Sequence, residues 1–511
     1  MDSSWRPKLG DRVFRPRRIK HLHLRRVMGV PALFSIGYGD VGSSIYYGLG
    51  VVALVAVGAT PIALGIAGLI YVFNALTYAE GSAMLPEGGG SASFARNAFN
   101  DLIGFISGWV LMLSYVATVA ISAYTIPPYL AYFWPILKDP VMGTAVSIGV
   151  VFLLMLINIF GIQESSRLNI FFIFIDILTQ LTLIVLGVVL IMIPNPGILA
   201  EHMFGEGNWP SAQNLLFGVA LAALCFTGVE SISQHGEETR QPEKKIPRAY
   251  IWMIVVVLVL FGGISLLAMS AMTPQALGDP INGWARDPIA GIAHAVSGYI
   301  NPVEIAGRMT SGKELTIVLV WVIAAIRDML PVLVAILAAT IMVVATNAGL
   351  LGISRLTYNL ATHRQLPATL STIHGRFRTP YVTIMLFCLV SMLMLVPGFF
   401  APNFFTDLGA LYVFGSLLCF AIAHLSVIGL RVKRPDMPRP FKLWGHIKVR
   451  GRELPVISIL GLIGTSAIWI VIIVIQPFSR WVGILWMLAG LAIYYFYRRR
   501  HHLSLTHLDK K

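Results

Sequence analysis

Apolar residues run along this chain in blocks of about twenty, separated by short polar segments, and seldom in the stripes of an amphipathic helix. A helix needs about 20 apolar residues to cross roughly 30 Å of hydrocarbon. Twelve blocks reach that length: 31–57, 61–83, 102–126, 141–161, 169–194, 213–234, 249–272, 331–352, 379–398, 407–430, 455–476 and 480–498. The segment 316–328 is also apolar, but Arg327, Asp328 and Pro331 interrupt it. It reads as an interfacial helix leading into the eighth span. The pattern predicts an all-α polytopic membrane protein with twelve transmembrane helices.

Composition agrees. Of 511 residues, 56% are hydrophobic and 12% charged, against about 25% charged in soluble domains. As a soluble chain this length would suggest about three domains, and the charges are too few to cover three soluble surfaces. The net charge of +14 would suit a nucleic-acid binder, but the apolar blocks exclude that as the main reading, and no nucleic-acid partner is expected. Cys225, Cys388 and Cys419 all fall inside apolar runs, so neither a disulfide framework nor a zinc site is implied. The first 29 residues hold nine Lys/Arg and no apolar h-region, unlike a signal peptide.

Charge placement predicts topology. With both termini cytoplasmic, 32 of the 38 Lys/Arg fall in inside segments. Lys138, Arg286, Arg308, Lys313, Arg327 and Arg480 remain outside. That asymmetry predicts cytoplasmic termini in a plasma (inner) membrane. The run Arg15, Arg17, Arg18, Lys20, Arg25 and Arg26 serves topology first, with a regulatory patch as the second reading. The layout is a basic segment 1–30, a transport core 31–430, a basic loop 431–454, spans 11–12 over 455–498 and a tail 499–511.

Two spans are interrupted. Span 1 carries Gly37-Tyr38-Gly39-Asp40-Val41-Gly42-Ser43-Ser44, and span 6 carries Thr227-Gly228-Val229-Glu230-Ser231-Ile232-Ser233. Each Gly weakens a helix interior by about 1 kcal/mol, and irregular backbone survives at membrane depth only where protein or a polar cavity surrounds it. Interruptions five spans apart point to a five-plus-five inverted repeat, about 31–194 and 213–430, with broken helices 1 and 6 and a site between the breaks. Packing by small residues is the plainer alternative, but it does not explain a carboxylate in each break.

Intramembrane acids are functional by default. Asp40 and Glu230 lie in the breaks and Asp176 lies inside span 5. Glu80, ending span 2, reads as a snorkelling or capping residue. Asp40 would repel a carboxylate and attract a cation, and Glu230 reinforces this when ionised. When protonated, Glu230 is a candidate proton carrier, because two nearby carboxylates titrate as a pair and can share one proton. Tyr47, Tyr115, Thr118, Ser122 and Thr227 add neutral oxygens. Tyr115, Thr118 and Ser122, at i, i+3 and i+7, share one face of span 3. Interhelical hydrogen bonding explains that face equally well. His424 in span 10 reads as a packed polar residue. Gly37-x-Gly39 and Gly88-Gly89-Gly90 lack a P-loop lysine, and His501, His502 and His507 sit in a basic tail that needs no metal.

Tyr38-Gly39-Asp40-Val41-Gly42-Ser43-Ser44 with Tyr47 resembles the Y-G-D-[IV]-G-[ST]-S-x-x-Y signature of KUP-type potassium permeases. Pro86-Glu87-Gly88-Gly89-Gly90, Phe226-Thr227-Gly228-Val229-Glu230 and Gln241-Pro242 resemble the wider amino acid–polyamine–organocation superfamily. The resemblance spans about 31–430 and is nearest to the KimA-like potassium–proton symporters. It implies potassium ligands at Asp40, Tyr47, Tyr115, Thr118 and Thr227, with Ser122, Glu230 and Tyr412 also matching site positions. Two features depart from that branch: the short tail, and Asp176, which stands where some amino acid permeases of the superfamily place a proton-coupling lysine.

The leading expectation is therefore a secondary transporter, not an enzyme, that takes up potassium with protons by alternating access. Spans 1, 2, 6 and 7 would rock against the rest. Glu230 is the first candidate for proton coupling and Asp176 the second. Potassium and the proton are transported species, and no cofactor is implied. The alternative is a proton-coupled amino acid or polyamine permease, since a cationic amine would satisfy Asp40 equally. A non-transporting sensor is the remaining alternative. The implied partners are a small cation or cationic amine and the lipid bilayer, with a homodimer as the candidate assembly.

Overall fold

A computed structural model of the chain describes residues 26, 28–161, 166–280, 282–309, 313–377, 379–401, 403–449 and 451–506. Of the basic N-terminal run, only Arg26 is among them. Arg15, Arg17, Arg18, Lys20 and Arg25, together with His507, lie outside the described residues.

Span 1 comprises α1 (Val30–Val41) and α2 (Ile45–Ala56), and span 2 is α3 (Thr60–Met84). The apolar stretch Val30–Met84 covers 55 residues, roughly 80 Å at about 1.5 Å per residue, too long for one crossing. Val57 divides it: its φ of 48° is a conformation that a β-branched residue adopts only where the chain must turn. A short α4 (Ser91–Ala98) precedes α5 (Asp101–Leu130), which is span 3. Spans 4 and 5 are α6 (Pro140–Phe160) and α7 (Ser166–Gly187). After α8 (Ile198–Phe204), span 6 is split into α9 (Ala212–Ala222) and α10 (Glu230–Ser233). Span 7 is α11 (Pro242–Ala271). The long loop that follows holds α12 (Pro274–Gly278), α13 (Pro288–Gly298) and α14 (Pro302–Met309). The later spans are α15 (Lys313–Thr362), α16 (Tyr381–Leu395), α17 (Phe404–Lys433), α18 (Val456–Ile475) and α19 (Pro477–Arg500). Among the described residues, eleven stretches are long and apolar enough to cross a membrane, and dividing the first at Val57 makes twelve, as the hydrophobic pattern predicts. One antiparallel hairpin, β1 (His446–Val449) with β2 (Arg452–Pro455), sits between spans 10 and 11.

Three expectations need correction. The helix does not stop at Pro331. α15 runs 50 residues with Pro331 inside, so 316–328 and the eighth span form one unbroken helix, roughly 75 Å long at about 1.5 Å per residue. One missing N–H and a local clash are tolerated where so many turns flank them. The two breaks also differ in depth. In span 1 the chain only tightens into a 3-10 turn at Gly42–Ser44, with Gly42 still right-handed at φ −63°. In span 6 it unwinds: Thr227 is extended and Gly228 has φ +100°. Finally, Glu80 neither snorkels nor caps. It is fully buried and accepts from Arg431 Nε at 2.7 Å and Nη2 at 2.5 Å, and from the Leu443 backbone N–H at 2.9 Å. The pair joins spans 2 and 10 to the loop before the hairpin.

α5 forms the centre of the bundle, packing along α15 and α17, while α11 lies along α3. On the face that carries the described chain ends, the Gly88 carbonyl accepts from Asn359 at 2.5 Å, and the Gly88 N–H donates to Glu237 at 3.1 Å. Arg355 pairs with Glu238 at 3.3 Å. These contacts tie the loop after span 2 to the loop after span 6 and to the end of α15.

Candidate functional site

The unwound segment of span 6 lies against span 1. A Cβ on Gly228 would stand 2.7 Å from Asp40 Cγ, so glycine is required there twice, for its φ and for this approach. Asp40 and Glu230 are each about 1% exposed. Ser231 donates to Asp40 Oδ2. Asp40 Oδ1 and Glu230 Oε2 are buried with no hydrogen-bond partner in the structure.

Hydroxyls surround these acids. Tyr47 Oη lies 3.0 Å from Ser44 Oγ, whose hydroxyl donates to the Asp40 carbonyl at 3.2 Å. Tyr47 also faces Asp40 and Ser122. Tyr115 faces Glu230, Asp40 and Ser231, and Tyr412 faces Asp40, Tyr47, Glu230 and Thr118. Thr118 and Thr227 donate to the helix carbonyls of Ser114 at 3.0 Å and Leu224 at 2.8 Å, which leaves their lone pairs free to accept. The hydroxyls of Tyr115 and Ser122 are buried and unpartnered. Seven of the eight residues singled out around the breaks therefore face one another, and Thr227 adjoins Gly228, which packs on Asp40. Orphaned buried oxygens are costly, and four of them, on Asp40, Tyr115, Ser122 and Glu230, are gathered here.

Asp176 belongs to a second centre on the other side of span 1. It accepts from Tyr38 at 2.9 Å, from Gln180 at 2.9 Å and from Tyr46. Successive helical residues turn by about 100°, so Tyr46 and Tyr47 point to different acids. Tyr38 and Ser231 stand in the two quoted motifs, but neither they nor Tyr46 and Gln180 were named as site residues from the sequence. The i, i+4 spacing of Asp176 and Gln180 was a readable signal, whereas the tyrosine partners lie well over 100 positions away. His424 is a packed polar residue: its Nε2 lies 2.7 Å from Asn74 Oδ1, which also accepts from Thr465 at 3.1 Å. The three cysteines are free and buried. No cluster of metal-ligating side chains occurs among the described residues.

A helical bundle that crosses the membrane many times, with an unwound span folded around buried acids, is the construction of a membrane permease. The chain belongs to the Amino acid permease family, whose match covers residues 28–496; it is a permease and not an enzyme. It is 28% identical to the branched-chain amino acid permease BcaP of Bacillus subtilis, over 96% of this chain and 98% of that one. It is 24% identical to the methylthioribose transporter of the same organism, over 95% and 96% of the two chains. With the human large neutral amino acids transporter small subunit 2 it shares 27%, over 86% and 74%. Membership of the amino acid–polyamine–organocation superfamily stands. The narrower potassium specificity read from the Y-G-D signature finds no support in these relatives, which favour the amino acid alternative.

Proposed function

We propose that this protein is a proton-coupled amino acid permease in the plasma membrane, with both termini cytoplasmic. The observation that carries this reading is the pair of unpartnered buried oxygens, Asp40 Oδ1 and Glu230 Oε2, ringed by hydroxyls. A substrate ammonium has three donors and satisfies both acids together with Tyr115 or Ser122. The unwound Thr227–Val229 segment offers backbone groups to the rest of the substrate. Glu230 is the first proton candidate, and Asp176, held by Tyr38 and Tyr46 of span 1, is the second, able to pass a protonation change to the span that bears Asp40. Rocking of spans 1, 2, 6 and 7 would expose the centre to each face in turn. The names of the relatives support an amino acid, with neutral side chains first.

A second reading keeps potassium as cargo, because Asp40, Tyr47, Tyr115, Thr118 and Thr227 form an oxygen set suited to a dehydrated cation. Uptake into liposomes under an imposed proton gradient separates the two, with labelled amino acids and polyamines set against rubidium. Amino acid flux that a protonophore abolishes, without rubidium flux, is expected. Rubidium flux alone would overturn the proposal.

A further inference from the structure

On the face opposite the described chain ends, a cavity of about 110 Å³ lies between the end of span 3 and the loop that follows span 7. Lys138, Arg286 and Asp287 line it, with Pro128, Pro140, Pro280 and Gly283. Both signs of charge face one space, yet none of the ion pairs among the described residues involves these three side chains. The cations rest on aromatic faces instead. Lys138 Nζ is 5.2 Å from the Trp284 ring centroid, and the Arg286 guanidinium carbon is 6.0 Å from that of Tyr124. Such contacts hold a cation in place without neutralising it. Arg286 Nε is buried and unpartnered, and Asp287 is 5% exposed. Three proline rings stiffen the wall and offer no N–H to compete for an anion.

We propose that this cavity is a second binding site, distinct from the Asp40–Glu230 centre, for the zwitterionic head group of an α-amino acid. The guanidinium of Arg286 and the ammonium of Lys138 take the carboxylate, and Asp287 takes the ammonium. Side chains of both signs that line one space without forming an ion pair match a ligand that carries both charges about one carbon apart, and they do not match a simple anion or cation. The volume suits the head group, so the side chain points to the open side and the site is indifferent to its identity. The choice of an amino acid among zwitterions rests on the proposed cargo.

The test uses the full-length protein in nanodiscs. Its native cysteines are buried, so Pro280→Cys supplies a single reactive thiol on the cavity wall. Glycine and leucine should each slow maleimide alkylation several-fold, whereas acetate or methylamine alone should not. Arg286→Ala should abolish this protection, Arg286→Lys should keep part of it, and Asp40→Asn should leave it intact. The proposal is overturned if glycine gives no protection, if acetate protects equally, if Arg286→Ala is still protected, or if Asp40→Asn removes the effect. Liposome uptake is scored separately: protection without amino acid flux would sink the transport reading and leave this site standing.

Discussion

Asp40 and Gly228 make one device from two spans. The carboxylate is usable because Gly228 lets span 6 approach it with φ +100° and without a side chain. Two outcomes follow. Asp40→Asn should leave the helices folded but weaken binding of an amine-bearing substrate by about thirtyfold or more, since losing one partner of a buried charged pair costs roughly 2–5 kcal/mol. Equilibrium binding in detergent measures this, and unchanged affinity would remove Asp40 from the site. Gly228→Ala should cost about 1–3 kcal/mol of backbone strain and displace Asp40, so that transport falls even in protein that still folds. Asp40 and Glu230 were legible because helix packing alone does not call for an acid beside a glycine within an apolar run, and the hydroxyls because Tyr115, Thr118 and Ser122 share a helix face and, with Tyr47, Thr227 and Tyr412, match the resembled family's pattern. Tyr38 and Tyr46 were not. Their roles depend on which way span 1 is turned, and apolar periodicity does not report that where the helix is buried all round, as it is from Gly37 to Ala53.

At the scale of elements, the spans were legible from length and hydropathy, whereas the ties between them were not. Glu80 and Arg431 stand at the ends of spans 2 and 10, far apart in sequence, and each alone looks like an end-of-helix charge. In the structure they form a bidentate pair, side chains 0% and 2% exposed. Breaking such a pair on one side costs roughly 3–5 kcal/mol, because the remaining charge is left buried, whereas apolar replacement of both is often near neutral. Glu80→Leu alone should therefore lower thermal stability sharply, and Glu80→Leu with Arg431→Met should restore most of it. A double variant as unstable as the single one would show that the Leu443 contact, not the pair, carries the tie. The Gly88–Asn359 and Gly88–Glu237 bonds close the same face. Asn359→Ala should raise the labelling of a cysteine placed at Ser233 from that face, since it frees the loop after span 2. α15 shows the opposite limit of reading: Pro331 reads as a stop, yet a helix flanked by many intact turns runs through it.

For the whole molecule, the loop-side cavity and the central acids respond to pH differently. Burial first, opposed by Lys138 and Arg286, raises the Asp287 carboxyl to about 6. The groups facing it are Lys138 from the segment before span 4, its neighbour Arg286, and the Tyr129 hydroxyl of span 3. His294 of α13 stacks on Trp284 beside Lys138. A raised carboxyl favours the neutral form in the folded state, so ionised Asp287 costs stability in full above about pH 6, and that cost shrinks as pH falls from about 6 to the ordinary carboxylate value of 3.8. A bound ammonium offsets the same cost, so occupancy of the cavity is strongest above about pH 6 and weakens below it. Proton coupling at Asp176 and Glu230 runs the other way, because a more acidic loop-side solution increases the driving force. The two tendencies separate in the kinetic constants: as that solution is acidified through pH 6, maximal uptake should rise while the substrate KM also rises. Asp287→Asn should start from a higher KM and lose its pH dependence, yet keep the pH dependence of maximal uptake. A KM profile that Asp287→Asn leaves unchanged would assign the dependence to the central acids alone.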